Sequence, residues 1–97
     1  MNFIRQKFSG VYLIEPEPHE DERGMLRRNF CQQEFMENNL MVDIKQTNIS
    51  ENRKNYTLRG FHFQLPPHGE NKVISCIKGN IYDIVVDLRK DSETYLK

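Results

Sequence analysis

The 97 residues, 37% of them hydrophobic, suffice for one modest domain with little apolar material to spare. Lysine plus arginine balance aspartate plus glutamate at 14 each with no basic stripe, which excludes the electrostatic footprint of a nucleic-acid binder and leaves room for a small anionic ligand. No apolar run approaches the ~20 residues that cross a bilayer, the N-terminus lacks a signal-peptide core, and Cys31 and Cys76 suit neither a zinc pair nor a disulfide framework. The expectation is a soluble cytoplasmic protein with reduced thiols.

In chain order, Val11 to Glu15 predicts a short strand stopped by Pro16 and Pro18. His19 to Gly24 is a charged turn where the chain reverses. Met25 to Phe30 predicts a second strand, and Cys31 to Leu40 a helix, the only one, with Phe35, Met36 and Leu40 at helical spacing. In the alternating stretch Val42, Ile44, Gln46, Asn48, Ser50 one face turns from apolar to polar, as in a strand entering a wet pocket. Glu51 to Asn55 is a loop, Tyr56 to Gln64 resumes extended structure, and Pro66-Pro67-His68-Gly69 ends it. Val73 to Lys78 and Ile81 to Leu88 read as an antiparallel hairpin joined by Gly79-Asn80, while Ser92 to Lys97 offer no closing element. Short, evenly spaced strands favour an all-β sandwich or barrel, one that still needs strands to cover its edges and pocket.

The run Leu58 to Pro66, with Lys72 beyond it, concentrates the chemistry. Strand parity puts His62 with Gln64 on one face and Arg59 on the other, and Gly60 tolerates the bulge that would turn Arg59 and His62 toward one cavity. An imidazole takes a proton near neutral pH when a carboxylate orients it, and Asp83 and Asp87 are the nearest strand-borne candidates. Lys72 beside a carbonyl would stabilise the enolate left when the adjacent carbon loses its proton, and Arg23 and Arg59 could clamp a diphosphate. Gln46 and Asn48 add neutral donors and acceptors. Each residue also has a plainer reading. His62 could be structural, Lys72 solvated, Arg23 part of a surface ion network with Asp21 and Glu22, Gln46 and Asn48 paired with backbone at a sheet edge, and Asp83 and Asp87 turned to water.

The segments Asp21 to Gly24, Gln46-Thr47-Asn48, Leu58 to Pro67 and Lys72 to Arg89, in that order, closely resemble the dTDP-4-dehydrorhamnose 3,5-epimerases over essentially the whole chain. The resemblance implies a cupin-type β jelly roll and a single partial domain over residues 1–97, incomplete at its C-terminus. It implies action on dTDP-4-dehydro-6-deoxy-D-glucose, inverted at C3 and C5, with no metal or redox cofactor, no membrane and a homodimer in which Arg23 reaches the neighbouring site. It further implies His62 as the base, Lys72 as support for charge on the C4 oxygen, Arg23 and Arg59 as nucleotide-sugar contacts, and Gln46, Thr47 and Asn48 as a substrate-binding triplet. Thr47 stands where the family usually has aspartate. Arg28 stands where the family has a substrate-contacting glutamate, which would strengthen diphosphate attraction, alter the accepted sugar, or mark surface drift. The family's tyrosine acid and the aspartate that orients the base are expected beyond residue 97, so the chain is expected to be impaired as an enzyme. Two alternatives stand beside this reading. One is a non-catalytic remnant that binds dTDP-sugars or pairs with another subunit. The other is a metal-using cupin with His62, His68 and Glu70 as ligands, which has Gln64 where that signature needs a second histidine.

Overall fold

A computed structural model describes all residues, 1–97. Its regular structure is mainly β: four short strands in two antiparallel pairs, and one short helix. Strand β1 (Asn2–Arg5) pairs with β2 (Tyr12–Glu15) in the register Phe3 opposite Ile14 and Arg5 opposite Tyr12. The connection is tightened by hydrogen bonds from Gln6 N to Val11 O (2.9 Å) and from Val11 N to Phe8 O (3.1 Å). Gly10 sits there at φ +84°, where a side chain would be strained. Strand β2 matches the sequence expectation, whereas β1, with a single alternating apolar residue turned inward, does not stand out from its surroundings.

The charged turn at His19 to Gly24 is a hairpin in which β3 (His19–Asp21) pairs with β4 (Gly24–Leu26). Met25 to Phe30 is therefore strand only at its start. The helix α1 (Gln32–Glu37) falls within the expected span and packs its Phe35 ring, 1% exposed, edge-on against Phe3 (centroids 5.5 Å) and Phe30 (4.7 Å). This aromatic trio is the core. Met36, expected on the same face, is 59% exposed, because the six-residue helix carries one inward position and Met36 points away from it.

The helix is latched to β1 electrostatically as well. The Met1 ammonium lies 3.1 Å from Glu34 Oε1 and Arg28 Nη1 lies 3.1 Å from Glu34 Oε2, and the two donors hold the Glu34 carboxyl below its ordinary range.

Beyond Leu40 the expected strands 42–50, 56–64, 73–78 and 81–88 do not pair into ladders. Gly79 does adopt the positive φ (+82°) that a tight Gly-Asn turn uses, yet Ile74, Ile77, Ile81 and Ile84 are all more than half exposed. A two-stranded hairpin is marginal without a packed face, and no apolar layer covers this one. The Cα radius of gyration, 15.6 Å, accordingly exceeds the ~13 Å of a compact domain of about 100 residues.

The C-terminal residues form a local turn and add no strand. Asp87, 5% exposed, accepts from Arg89 Nε (2.8 Å), Arg89 Nη2 (3.0 Å), Arg89 N (3.0 Å), Ser92 Oγ (2.6 Å) and Thr94 Oγ1 (2.6 Å), and its own carbonyl accepts from Leu96 N (2.9 Å). Residues 87–97 thus fold back around one carboxylate.

Candidate functional site

His62 is exposed on an irregular segment whose shape depends on Gly60. Gly60 takes φ +104°, and a methyl group there would lie 3.4 Å from His62 N and 3.5 Å from His62 Nδ1. The imidazole therefore folds back over the glycine. Gly60 supplies a positive-φ bend at this point, and Arg59 bonds to Asn52 and Glu51.

Each expected cation is engaged locally. Arg23 closes a tight turn on Asp21, with Nη2 to Oδ2 at 2.7 Å, Nε to Oδ2 at 3.2 Å and the backbone N to Oδ1 at 2.9 Å. These bonds hold the Asp21 carboxyl below its ordinary range. Arg23 forms an exposed ion pair with Asp21 and also lines a shallow groove with His19, Gly24, Met25 and Leu26. Arg59 Nε donates to Asn52 Oδ1 (2.6 Å) and Nη2 to the Glu51 carbonyl (3.4 Å), which ties the motif to the preceding polar loop. Lys72 Nζ lies 3.1 Å from Glu70 Oε1. Gln46, Thr47 and Asn48 are exposed and lie outside any strand.

The seven expected residues, Arg23, Gln46, Thr47, Asn48, Arg59, His62 and Lys72, make no hydrogen bond or ion pair with one another. The proposed orienting role of Asp87 is corrected. Arg89 above all, then Ser92 and Thr94, occupy its carboxylate and drive its pKa far below the ordinary range, so it is committed to the C-terminal turn and does not face water. Asp83 is exposed and has no side-chain partner. Arg28, itself largely exposed, is paired with Glu34 at 3.1 Å. No three His, Cys, Asp or Glu side chains gather to hold a metal, and Glu70 is turned to Lys72 rather than to His62 and His68.

One contact was not anticipated. The Gln64 amide, oriented so that its nitrogen faces acceptors, lies 3.2 and 3.1 Å from the two Glu70 oxygens and 3.1 Å from the His68 carbonyl. His68 N donates to Leu65 O (2.8 Å) and closes the proline turn. Glu70 thereby links the end of the histidine run to Lys72. The signal in the sequence was a glutamine and a lysine flanking a turn that carries one carboxylate.

The sequence profile of the family described as dTDP-4-dehydrorhamnose 3,5-epimerase matches residues 5–97. The chain is 38% identical over 98 residues to the dTDP-4-dehydrorhamnose 3,5-epimerase of Shigella flexneri, covering 100% of this chain and 54% of that protein. It is 44% identical over 94 residues to the protein of the same name from Methanothermobacter thermautotrophicus, covering 96% and 49%. A dTDP-4-dehydrorhamnose 3-epimerase from Streptomyces niveus is 36% identical over 87 residues, covering 89% and 42%. The chain spans about half the length of the curated relatives it matches. No solved structure matches it.

Proposed function

This chain belongs to the dTDP-4-dehydrorhamnose 3,5-epimerase family, and from that membership we propose that it is the N-terminal part of a sugar-nucleotide epimerase acting on dTDP-4-dehydro-6-deoxy-D-glucose. The observation that carries the reading is the family match from residue 5 to residue 97.

In this account C3 and C5 are acidic because each neighbours the C4 ketone, so the electron pair left by proton loss spreads onto the C4 oxygen. His62 takes the proton, and the Lys72 ammonium stabilises the oxyanion that forms. Reprotonation from the opposite face, by the tyrosine acid that the family resemblance implies, inverts the centre. Arg23 and Arg59 bind the diphosphate, and Gln46, Thr47 and Asn48 contact the substrate. The local pair of Arg23 is compatible with this use: it is exposed and screened by solvent, and a diphosphate offering bidentate, charge-assisted bonds exchanges with it readily. The architecture completing the site is a cytoplasmic, homodimeric cupin-type jelly roll that needs neither metal nor redox cofactor. In it the segments 42–50, 56–64, 73–78 and 81–88 become ladder strands, and 97 residues alone turn over poorly.

The test is a fusion of this chain to the half of the Methanothermobacter relative that it does not match, incubated with the dTDP-4-dehydro sugar in deuterated water. Deuterium at C3 and C5 is the expected result, and deuterium at C3 alone would narrow the activity to one centre, as in the name of the Streptomyces relative. No incorporation at either carbon defeats the epimerase reading.

A further inference from the structure

Resting on that reading, we propose that Glu70 is a positioning residue for the epimerase reaction, holding Lys72 in place relative to the segment that carries His62. Three contacts make the case: Glu70 Oε1 to Lys72 Nζ at 3.1 Å, and the Gln64 amide nitrogen 3.2 and 3.1 Å from Oε1 and Oε2. Gln64 lies two residues from His62, and Lys72 two residues from Glu70. One carboxylate therefore bridges the two ends of the Pro66-Pro67 turn, and the hydrogen bond from His68 N to Leu65 O (2.8 Å) tightens the same turn from within.

The chemistry needs such a brace. A lysine side chain is a flexible stem with a point charge, and its value to a developing enolate depends on where the ammonium sits. Lys72 and Glu70 are both about half exposed, so solvent screens most of their Coulombic attraction and the geometric constraint is what remains. A neutral acceptor of the same shape should therefore serve nearly as well as the carboxylate. Glu70 touches neither substrate nor the reacting carbons in this account and acts through Lys72.

The experiment compares the fusion described above with its Glu70→Ala, Glu70→Gln and Lys72→Ala variants and the Glu70→Ala/Lys72→Ala double variant. Glu70→Ala lowers kcat about tenfold with KM little changed, as loss of a residue that orients a catalytic group does. Glu70→Gln retains most of the rate, and in the Lys72→Ala background Glu70→Ala has no further effect. In the 97-residue chain itself, Glu70→Ala shifts the Gln64 side-chain amide resonances. Equal kcat in Glu70→Ala and the unsubstituted fusion, additive losses in the double variant, or an unmoved Gln64 amide each overturns the role of Glu70 while leaving the epimerase reading intact. An unsubstituted fusion with no exchange defeats both.

Discussion

Thr94 Oγ1 donates a 2.6 Å hydrogen bond to Asp87 Oδ2, closing a loop between residues seven apart in the chain. With Arg89 and Ser92 on the same carboxylate, this turn is the most densely hydrogen-bonded point of the molecule beyond α1. The Asp87 pKa is depressed on folding, so the contribution of these bonds is complete above the unfolded value of 3.8, declines as pH falls below it and is gone once pH passes the folded value, while the folded carboxylate itself stays ionised below the ordinary range. The Leu96 amide, bonded to the Asp87 carbonyl, should keep its hydrogen-exchange protection at pH 3. Asp87→Asn, which removes one acceptor oxygen and the charge that draws Arg89, should lose that protection at every pH. Equal protection in both proteins would mean that the turn is held by something else.

Phe35 is the one fully buried hydrophobic side chain, and Phe3 and Phe30 close on it from two sides. Phe35→Ala should cost about 3 kcal/mol, the low end for a buried phenylalanine because exposed surroundings can collapse into the gap. Denaturant unfolding of the unsubstituted and variant fusions checks the value. A loss below about 0.5 kcal/mol would show that the trio is not the core.

The latch between β1 and α1 has two pH limits. The Met1 amine is raised from its ordinary value of 8.0, first by its hydrogen bond to Glu34, and Glu34 is lowered from 4.5, first by the same bond. A raised amine stabilises below its unfolded value and loses that contribution as pH rises through its folded one. A lowered carboxyl stabilises above its unfolded value and loses it as pH falls through its folded one. The Phe35 ring resonances should therefore be constant between roughly pH 5 and 8 and move outside that window at both ends. Movement centred within it would contradict the pairing.

Arg59 is held by a neutral amide and a backbone carbonyl, so its charge is not cancelled by a carboxylate in the way that Asp21 cancels Arg23. Arg59→Ala in the fusion should weaken dTDP binding about tenfold with kcat little altered. A fall in kcat at unchanged affinity would remove it from the phosphate.

Much of the N-terminal half is legible from local pattern. The helix follows from the helical spacing of Phe35, Met36 and Leu40, of which only Phe35 is buried, and the reversal at His19 to Gly24 from a charged segment ending in glycine. Strand β1 escaped because four residues with one inward position carry almost no periodicity. The Asp87 turn escaped for a different reason. Strand parity treats Asp87 as a solvent-facing residue, whereas its donors at positions two, five and seven further on make a local closure that no alternation encodes. For Val73 to Leu88 the β-branched composition is genuine, but β-propensity expresses packing on a half-buried surface, and exposed Ile74, Ile77 and Ile81 have none. The candidate site divides in the same way. Motif order nominates His62, Lys72 and Arg59 individually, while their distances depend on contacts between segments far apart in sequence.

The central claim is that His62 removes the protons next to the C4 ketone. The most direct measurement is deuterium incorporation at C3 and C5 of the dTDP-4-dehydro sugar by the fusion carrying His62→Ala, alongside its dTDP binding. The account predicts exchange lost at both carbons and nucleotide affinity largely retained; exchange continuing at the unsubstituted rate would contradict it.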